Sequence, residues 1–275
     1  MNLDNFKRNY LISSLYFNNS ENILEDDCNN VWTMDYEYEG ISPGSGKDNI
    51  SLITTYKNEY IDSSIQIPKP NANISMVNEI FLGGKSFTID FWMFFHTDVS
   101  TSTSYGFSNE AMFLIQWPDK SLKLYPDELT VNSSITGYIK KDIPNNYFTN
   151  EAYNIISTNN DSMFHLIISY NTDYSINHPD KKNVINFYIN HTDIVDHTQY
   201  KEVLINRNKV LVMFINKTWN YPMVISNFRI WDGVAIELSN EKFLLSDGKS
   251  YLDLDFPLSD NMITTTYDNM VKLKG

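Results

Sequence analysis

Apolar and polar residues alternate one for one in short runs along most of this chain. The clearest run is "SFTIDFWMFF" (86–95), and others lie at 111–117, 121–125, 164–170, 184–189, 210–215 and 223–231. A period of two is the repeat of a pleated strand with one face turned to a core, and no helix can satisfy it. Asn, Ser, Thr, Asp and Gly cluster between the runs, where their turn chemistry breaks the pattern. Aromatic residues reach 14% of the chain and suit pleated surfaces. The expectation is an all-β, two-sheet antiparallel β-sandwich. Helical signals are sparse; residues 240–245 suggest a single turn.

At 275 residues the chain is long enough for one large β domain. The reading divides it into a domain at 1–237 and a C-terminal extension at 238–275. In the extension, "YLDLDFPL" (251–258) alternates like a strand, and Pro257 marks an edge or an end because it has no N–H to give to a ladder. The extension is expected to pack on the same domain or on a partner.

The net charge is −13, which repels phosphate backbones and anionic lipid. Nucleic acid is therefore excluded as a partner. No run approaches the roughly 20 apolar residues of a membrane span, so no membrane insertion is expected. The opening "MNLDNFKRNYLISSLYFNNS" lacks the apolar stretch and small-residue cleavage site of a secretory signal. The expectation is a soluble protein made in the cytosol. Cys28 is the single cysteine, so the chain can form neither an internal disulfide nor a cysteine-based metal site.

Several candidate sites follow from residue type. Asp35, Glu37 and Glu39 in "MDYEYEG" share one strand face at about 7 Å intervals. A glycosidase needs such carboxylates flanking a bond, but the expected reading is a solvated face. The histidines, at 96, 165, 178, 191 and 197, show no metal spacing. "EDDCNN" (25–30) offers turn oxygens, with Asp26 and Asp27 as calcium candidates; no other cofactor is expected. Sugar recognition needs aromatic faces beside planar polar groups. Trp219, Asn220 and Tyr221 in "NKTWNYP", with Trp117 and Tyr105 in other loops, are the candidate ligand-binding residues.

Six segments, in order, resemble the laminin-G-like jelly roll of the concanavalin A-like lectin and glucanase superfamily. They are "LYFNNSENILEDDCNNVWT" (15–33), "NEYIDSSIQIP" (58–68), "FTIDFWMFF" (87–95), "MFHLIISYN" (163–171), "VINFYINHTDIVD" (184–196) and "ISNFRIWDGVAI" (225–236). The third is similar to the family's "FTIEFWV" strand and the last to "IDDVRIWNRAL". Phe164 stands where the family usually has Trp, and Asn190-His191 where it has a turn glycine. The resemblance implies a jelly roll in which Trp92 and Trp231 lie on inward faces. It does not imply catalysis, because the "ExDxxE" strand of the glucanases is missing and the central strand offers only Asp90.

By that resemblance and by analogy, the chain is expected to be a non-catalytic module that recognises a cell-surface glycan or protein. The analogy places it on a phage virion (tail, baseplate or capsid), contacting other virion proteins or copies of itself. The alternatives are a purely structural virion or assembly protein without a small ligand, and a glycan hydrolase on the same fold.

Overall fold

In the computed structural model, the strand Phe87–Phe95 shows how the alternation is used. Phe87, Ile89, Phe91 and Met93 enter the main core, while Thr88, Asp90 and Trp92 occupy the opposite face. The structure describes residues 3–17, 22–36, 51–53, 64–67, 72–95, 113–126, 135–141, 151–155, 164–173, 182–189, 192–193, 203–216, 223–239 and 242–245.

Two eight-stranded sheets contain nearly all of these strands. The first comprises β1 (Leu11–Leu15), β3 (Ser51–Ile53), β4 (Ser64–Ile67), β7 (Phe87–Phe95), β12 (Phe164–Asn171), β13 (Val184–Ile189), β14 (Thr192–Asp193) and β16 (Met223–Asp232). Their order is β14-β13-β12-β7-β16-β4-β3, and β1 also pairs with β16. The second comprises β2 (Trp32–Tyr36), β5 (Ala72–Met76), β6 (Ile80–Leu82), β8 (Phe113–Gln116), β9 (Lys120–Pro126), β10 (Ile135–Lys141), β11 (Glu151–Ile155) and β15 (Asn208–Asn216). Its order is β11-β10-β9-β8-β15-β5-β2, with β6 also on β15. Every pairing is antiparallel. The expected two-sheet antiparallel β-sandwich is the fold observed.

Aromatic rings from the two sheets interlock between them. Phe91 of the first sheet lies 5.0 Å from Phe113 and 5.3 Å from Phe214 of the second. Phe228 lies 5.2 Å from Phe214 and 5.4 Å from Trp32. Each such ring, fully buried, contributes about 1.5–3 kcal/mol, with roughly 0.5–1.5 kcal/mol more from the edge-to-face geometry.

The two signature tryptophans correct an expectation. Trp231 and Trp92 are buried, but on the outer face of the first sheet, not between the sheets. Trp92 faces outward by plain alternation with the core residues Phe91 and Met93; for Trp231 the reason is a register shift. A bulge between Ser226 and Arg229 sets Asn227 in a left-handed conformation (φ 47), so that Phe228 and Ile230 turn inward and Arg229 and Trp231 outward.

Two elements differ from the sequence reading. Residues 242–245 are strand and not part of a helical turn, while 240 and 241 lie outside the described residues; β17 (Ile236–Ser239) and β18 (Lys242–Leu245) pair antiparallel. The α-helix α1 (Leu3–Tyr10) was not expected, although Leu3, Phe6 and Tyr10 carry a helical spacing. The expected boundary between 237 and 238 falls inside β17. Among the described residues, no helix is long and apolar enough to cross a membrane.

Candidate functional site

The first cluster of chemistry lies on the outer face of the first sheet, where β7, β12 and β16 bring Asp90, His165, Arg229 and Trp231 together. Asp90 Oδ1 accepts from Arg229 Nε (3.0 Å), from Arg229 Nη2 and from His165 Nε2 (3.1 Å). Its Oδ2 accepts from the Trp231 indole N–H (2.6 Å). Trp92 stacks on His165 with centroids 4.9 Å apart. Burial pushes the Asp90 carboxyl up, but Arg229 and the His165 hydrogen bond outweigh it and hold the group below its usual range. Asp90 is 2% exposed and its oxygens are committed to these donors. It is the interior half of an ion pair, closed to a substrate.

The hairpin helps close this face. Thr88 Oγ1 donates to the Val234 carbonyl (3.1 Å) and accepts from the Ile236 N–H (2.9 Å). Glu237 Oε1 accepts from Asn171 (2.8 Å) and Asn186 (3.2 Å), and all three residues are buried.

Asp26 is likewise an anchor. Oδ2 accepts from the Ser13 hydroxyl (2.5 Å), Asn30 (3.1 Å) and the Trp32 indole (3.0 Å), and Oδ1 from the Cys28 N–H (2.7 Å). The residue expected to offer oxygens to calcium turns them to protein donors instead. Asp27 stays exposed, its carboxyl raised chiefly by partial burial. Among the described residues, no three His, Cys, Asp or Glu converge as metal ligands would.

An open groove of about 390 Å³ lies where the β5–β6 turn, the β8–β9 turn and the start of β15 meet. Residues 76–79, 116–118 and 208–211 line it. Its walls are fixed by local hydrogen bonds. The Trp117 N–H donates to the Lys120 carbonyl (2.8 Å), closing a tight turn over Pro118 and Asp119. The Trp117 indole N–H donates to the Leu82 carbonyl (3.1 Å). On the other wall, the Val77 N–H donates to the Val31 carbonyl (2.7 Å), and the Val31 N–H to Asn78 Oδ1 (2.6 Å).

Two of the five large apolar side chains exposed among the described residues, Val77 and Leu211, line this groove, and the other three lie on segments bonded or paired to its surroundings. Val31, Val77, Phe81, Leu204 and Leu211 are each at least 40% exposed. Val77 and Leu211 line it. Val31 is bonded to Val77, and Phe81 is the cross-strand partner of Lys209. The Leu204 carbonyl accepts from Lys120 Nζ (2.5 Å), at the foot of the Trp117 turn. Isolated exposed aliphatics are ordinary, and two of them meeting in one concavity make it the apolar hollow of the described surface most worth weighing as a contact site.

Charges ring the groove in pairs: Lys209 with Glu79, and Lys120 with Asp119 at 3.1 Å. Just beyond, Asp232 takes both guanidinium nitrogens of Arg207 (3.2 and 3.1 Å) and Lys85 Nζ (2.9 Å). Among the described residues, these ion pairs join four cations to three carboxylates.

The sequence-derived ligand residues fare unevenly. Trp117 is placed at this groove, yet it is 1% exposed and packs 6.0 Å from Phe87, so it is floor and not a stacking platform. Trp219, Asn220, Tyr221 and Tyr105 lie outside the described residues, as do Glu37, Glu39 and four of the five histidines. Asp35 sits on β2, opposite Asn73. Sequence reasoning missed Val77, Leu211 and Lys209.

No family model and no curated protein matches the chain. Solved structures do resemble it in outline. One is domain 4 of AbnA, a GH43 extracellular arabinanase from Geobacillus stearothermophilus (TM-score 0.48, 15% identity, 81% of this chain and 92% of that one). Another is the botulinum neurotoxin serotype D binding domain (TM-score 0.48, 17% identity, 84% of this chain). This chain spans 49% of that toxin domain's length. A third is the Emp46p carbohydrate recognition domain (TM-score 0.41, 15% identity, 74% of this chain and 89% of that one). None is close enough to carry a ligand or an activity over to this chain.

Proposed function

We propose that this chain is a non-catalytic binding module that engages a protein or glycan surface through the apolar groove. The observation that carries the reading is an open concavity lined by two exposed aliphatic side chains, Val77 and Leu211, with the paired charges Lys209 and Glu79 at its rim. The groove's size lies in the range of ligand-accepting clefts. Its aliphatic lining, with paired charges at the rim, suits a protein surface better than a sugar ring, since its one lining tryptophan is buried. The buried, ion-paired state of Asp90 supports the absence of catalysis: a carboxylate so held can serve neither as nucleophile nor as general acid. The placement on a phage virion, facing a host surface, rests on the sequence resemblance and its analogy.

The test is an array of bacterial surface proteins and glycans, probed with the full chain and with a Val77→Asp/Leu211→Asp variant. Binding by the parent that falls at least tenfold in the variant, with an unchanged unfolding midpoint, supports the reading. Equal binding by both overturns it.

A further inference from the structure

We propose that the open outer face of the second sheet, with the groove at its end, is the contact between two copies of this chain. The inference rests on the reading of the groove as a docking surface and names its partner.

The first observation is which face is open. The outer face of the first sheet is closed: Asp90, Trp92, His165, Ile167 and Trp231 are all buried. On the second sheet, alternation sets Phe81, Leu211, Met213 and Leu114 opposite in direction to the core residues Leu82, Val212, Phe214 and Ile115. Phe81 is 49% exposed and Leu211 40% exposed. Val77, which follows the core residue Met76 at the end of β5, is 57% exposed. Phe81 is the cross-strand partner of Lys209 and so stands diagonal to Leu211, within reach of an aromatic ring. Met213 lies two residues on from Leu211 along β15, directly across from the half-buried Leu114. An apolar band therefore runs over β6, β15 and β8 from the groove, of the kind that marks a contact surface.

The second observation is the charge on that band. At its exposed end stand Lys209 and Glu79, ion-paired, with side chains 52% and 60% exposed. A two-fold contact sets a patch against itself, residue i on j and j on i. Such a contact escapes like-charge repulsion only where the patch holds both signs in balance. Carboxylates outnumber cations 34 to 21 along the whole chain, so a balanced patch is where two copies approach with least repulsion. Across the two-fold axis, Lys209 of one copy meets the partner's Glu79, and no charge is left unpaired.

The third observation is that the face is already built. The ladders of β15 with β6 and β8 fix the band, and the Trp117 and Val77 hydrogen bonds fix the groove at its end. Association then costs little ordering of the backbone.

The experiment is sedimentation velocity on the full chain over roughly a hundredfold range of concentration, since mass action makes a dimer concentration-dependent. The expected result is a monomer–dimer equilibrium. Leu211→Asp, at a side chain already exposed, is expected to weaken it at least tenfold with an unchanged urea midpoint. Charge exchange is the second arm. Glu79→Lys alone and Lys209→Glu alone each set like charges across the two-fold axis, and each is expected to weaken dimerisation at least tenfold. Mixed in equal amounts, the two variants set opposite charges across the contact at both places, and the mixture is expected to recover most of the parent's affinity. An ion pair acting only within one chain gives no such rescue. A parent that stays monomeric throughout, a dimer indifferent to Leu211→Asp, or a mixture no tighter than its components would each overturn the proposal. The array test above separates the two readings. A monomeric parent whose outside ligand is lost in Val77→Asp/Leu211→Asp leaves the functional reading standing and removes this one. Rescue in the mixture with a blank array keeps this proposal and removes the outside ligand.

Discussion

Replacing Asp90 with Ala should expose how much of this fold depends on a single buried carboxylate. The substitution removes the acceptor for the Arg229 guanidinium, for the His165 ring and for the Trp231 indole. Arg229 is 6% exposed, so its charge would be stranded in the interior. Breaking one end of a buried pair typically costs about 3–5 kcal/mol, far more than the volume of the lost carboxyl. The assay is equilibrium urea unfolding followed by tryptophan fluorescence, with the slope checked to stay constant. The companion variant Asp90→Leu/Arg229→Met removes both charges at similar volume and should recover most of the loss, because a buried pair is worth little against a well-packed apolar replacement. An Asp90→Ala midpoint within about 0.5 kcal/mol of the parent would refute the reasoning. So would a double variant whose cost equals the sum of the single ones.

Two further outcomes follow from the same buried polar chemistry. Burial pushes the His165 imidazole below its usual 6.5, and the Asp90 contact offsets only part of this. A lowered folded-state value means that the unfolded chain binds the proton first. His165 therefore contributes its full stability above about pH 6.5 and loses it as the pH falls further. Asp90, also depressed, begins to lose its contribution only below its usual 3.8. Urea midpoints should drop between about pH 7 and about pH 5, and a His165→Gln variant should show a flatter profile over that window. Separately, Asp26→Ala removes an acceptor shared by four donors, of which Asn30 keeps the Ile12 carbonyl, and should cost at least about 2 kcal/mol in the same unfolding assay, whether or not calcium is added.

The strands were legible because alternation is a local property. The run at 184–189 coincides with β13, and those at 121–125, 164–170, 210–215 and 223–231 lie within one to two residues of β9, β12, β15 and β16. What alternation cannot say is which of two faces is the core when both are buried. On β7, Phe, Ile, Phe and Met stand on one face, and Thr, Asp and Trp on the other. A tryptophan reads as a core residue, but its indole N–H also needs an acceptor. Trp231 finds one in Asp90, 141 residues away in sequence. That partnership is set by the pairing of β7 with β16 and by the bulge at Asn227, and neither is written in the local pattern. The hairpin at 236–245 was missed for the opposite reason: its strands are four residues each, too short for a period to declare itself.

The groove was harder to read than the fold. Its walls come from three segments, 76–79, 116–118 and 208–211, far apart in the chain, and an exposed valine or leucine in any one of them is unremarkable. The sequence drew attention instead to aromatics in turn-rich stretches, on the ground that loop aromatics tend to be exposed. Trp117 shows how that inference fails. Pro118 and Asp119 make the turn, but the turn is closed by the Trp117 backbone itself, so the ring is directed under the loop and not out of it. There the Leu82 carbonyl satisfies the indole, and Phe87 packs against the ring. A tryptophan so held forms the floor of the groove and offers no open ring face. On the proposed binding reading, contact would fall mainly to the aliphatic residues Val77 and Leu211 and to the charges beside them. Recognition on such a surface rests on shape and rim electrostatics, which is why neither an aromatic motif nor a catalytic one announces it in the sequence.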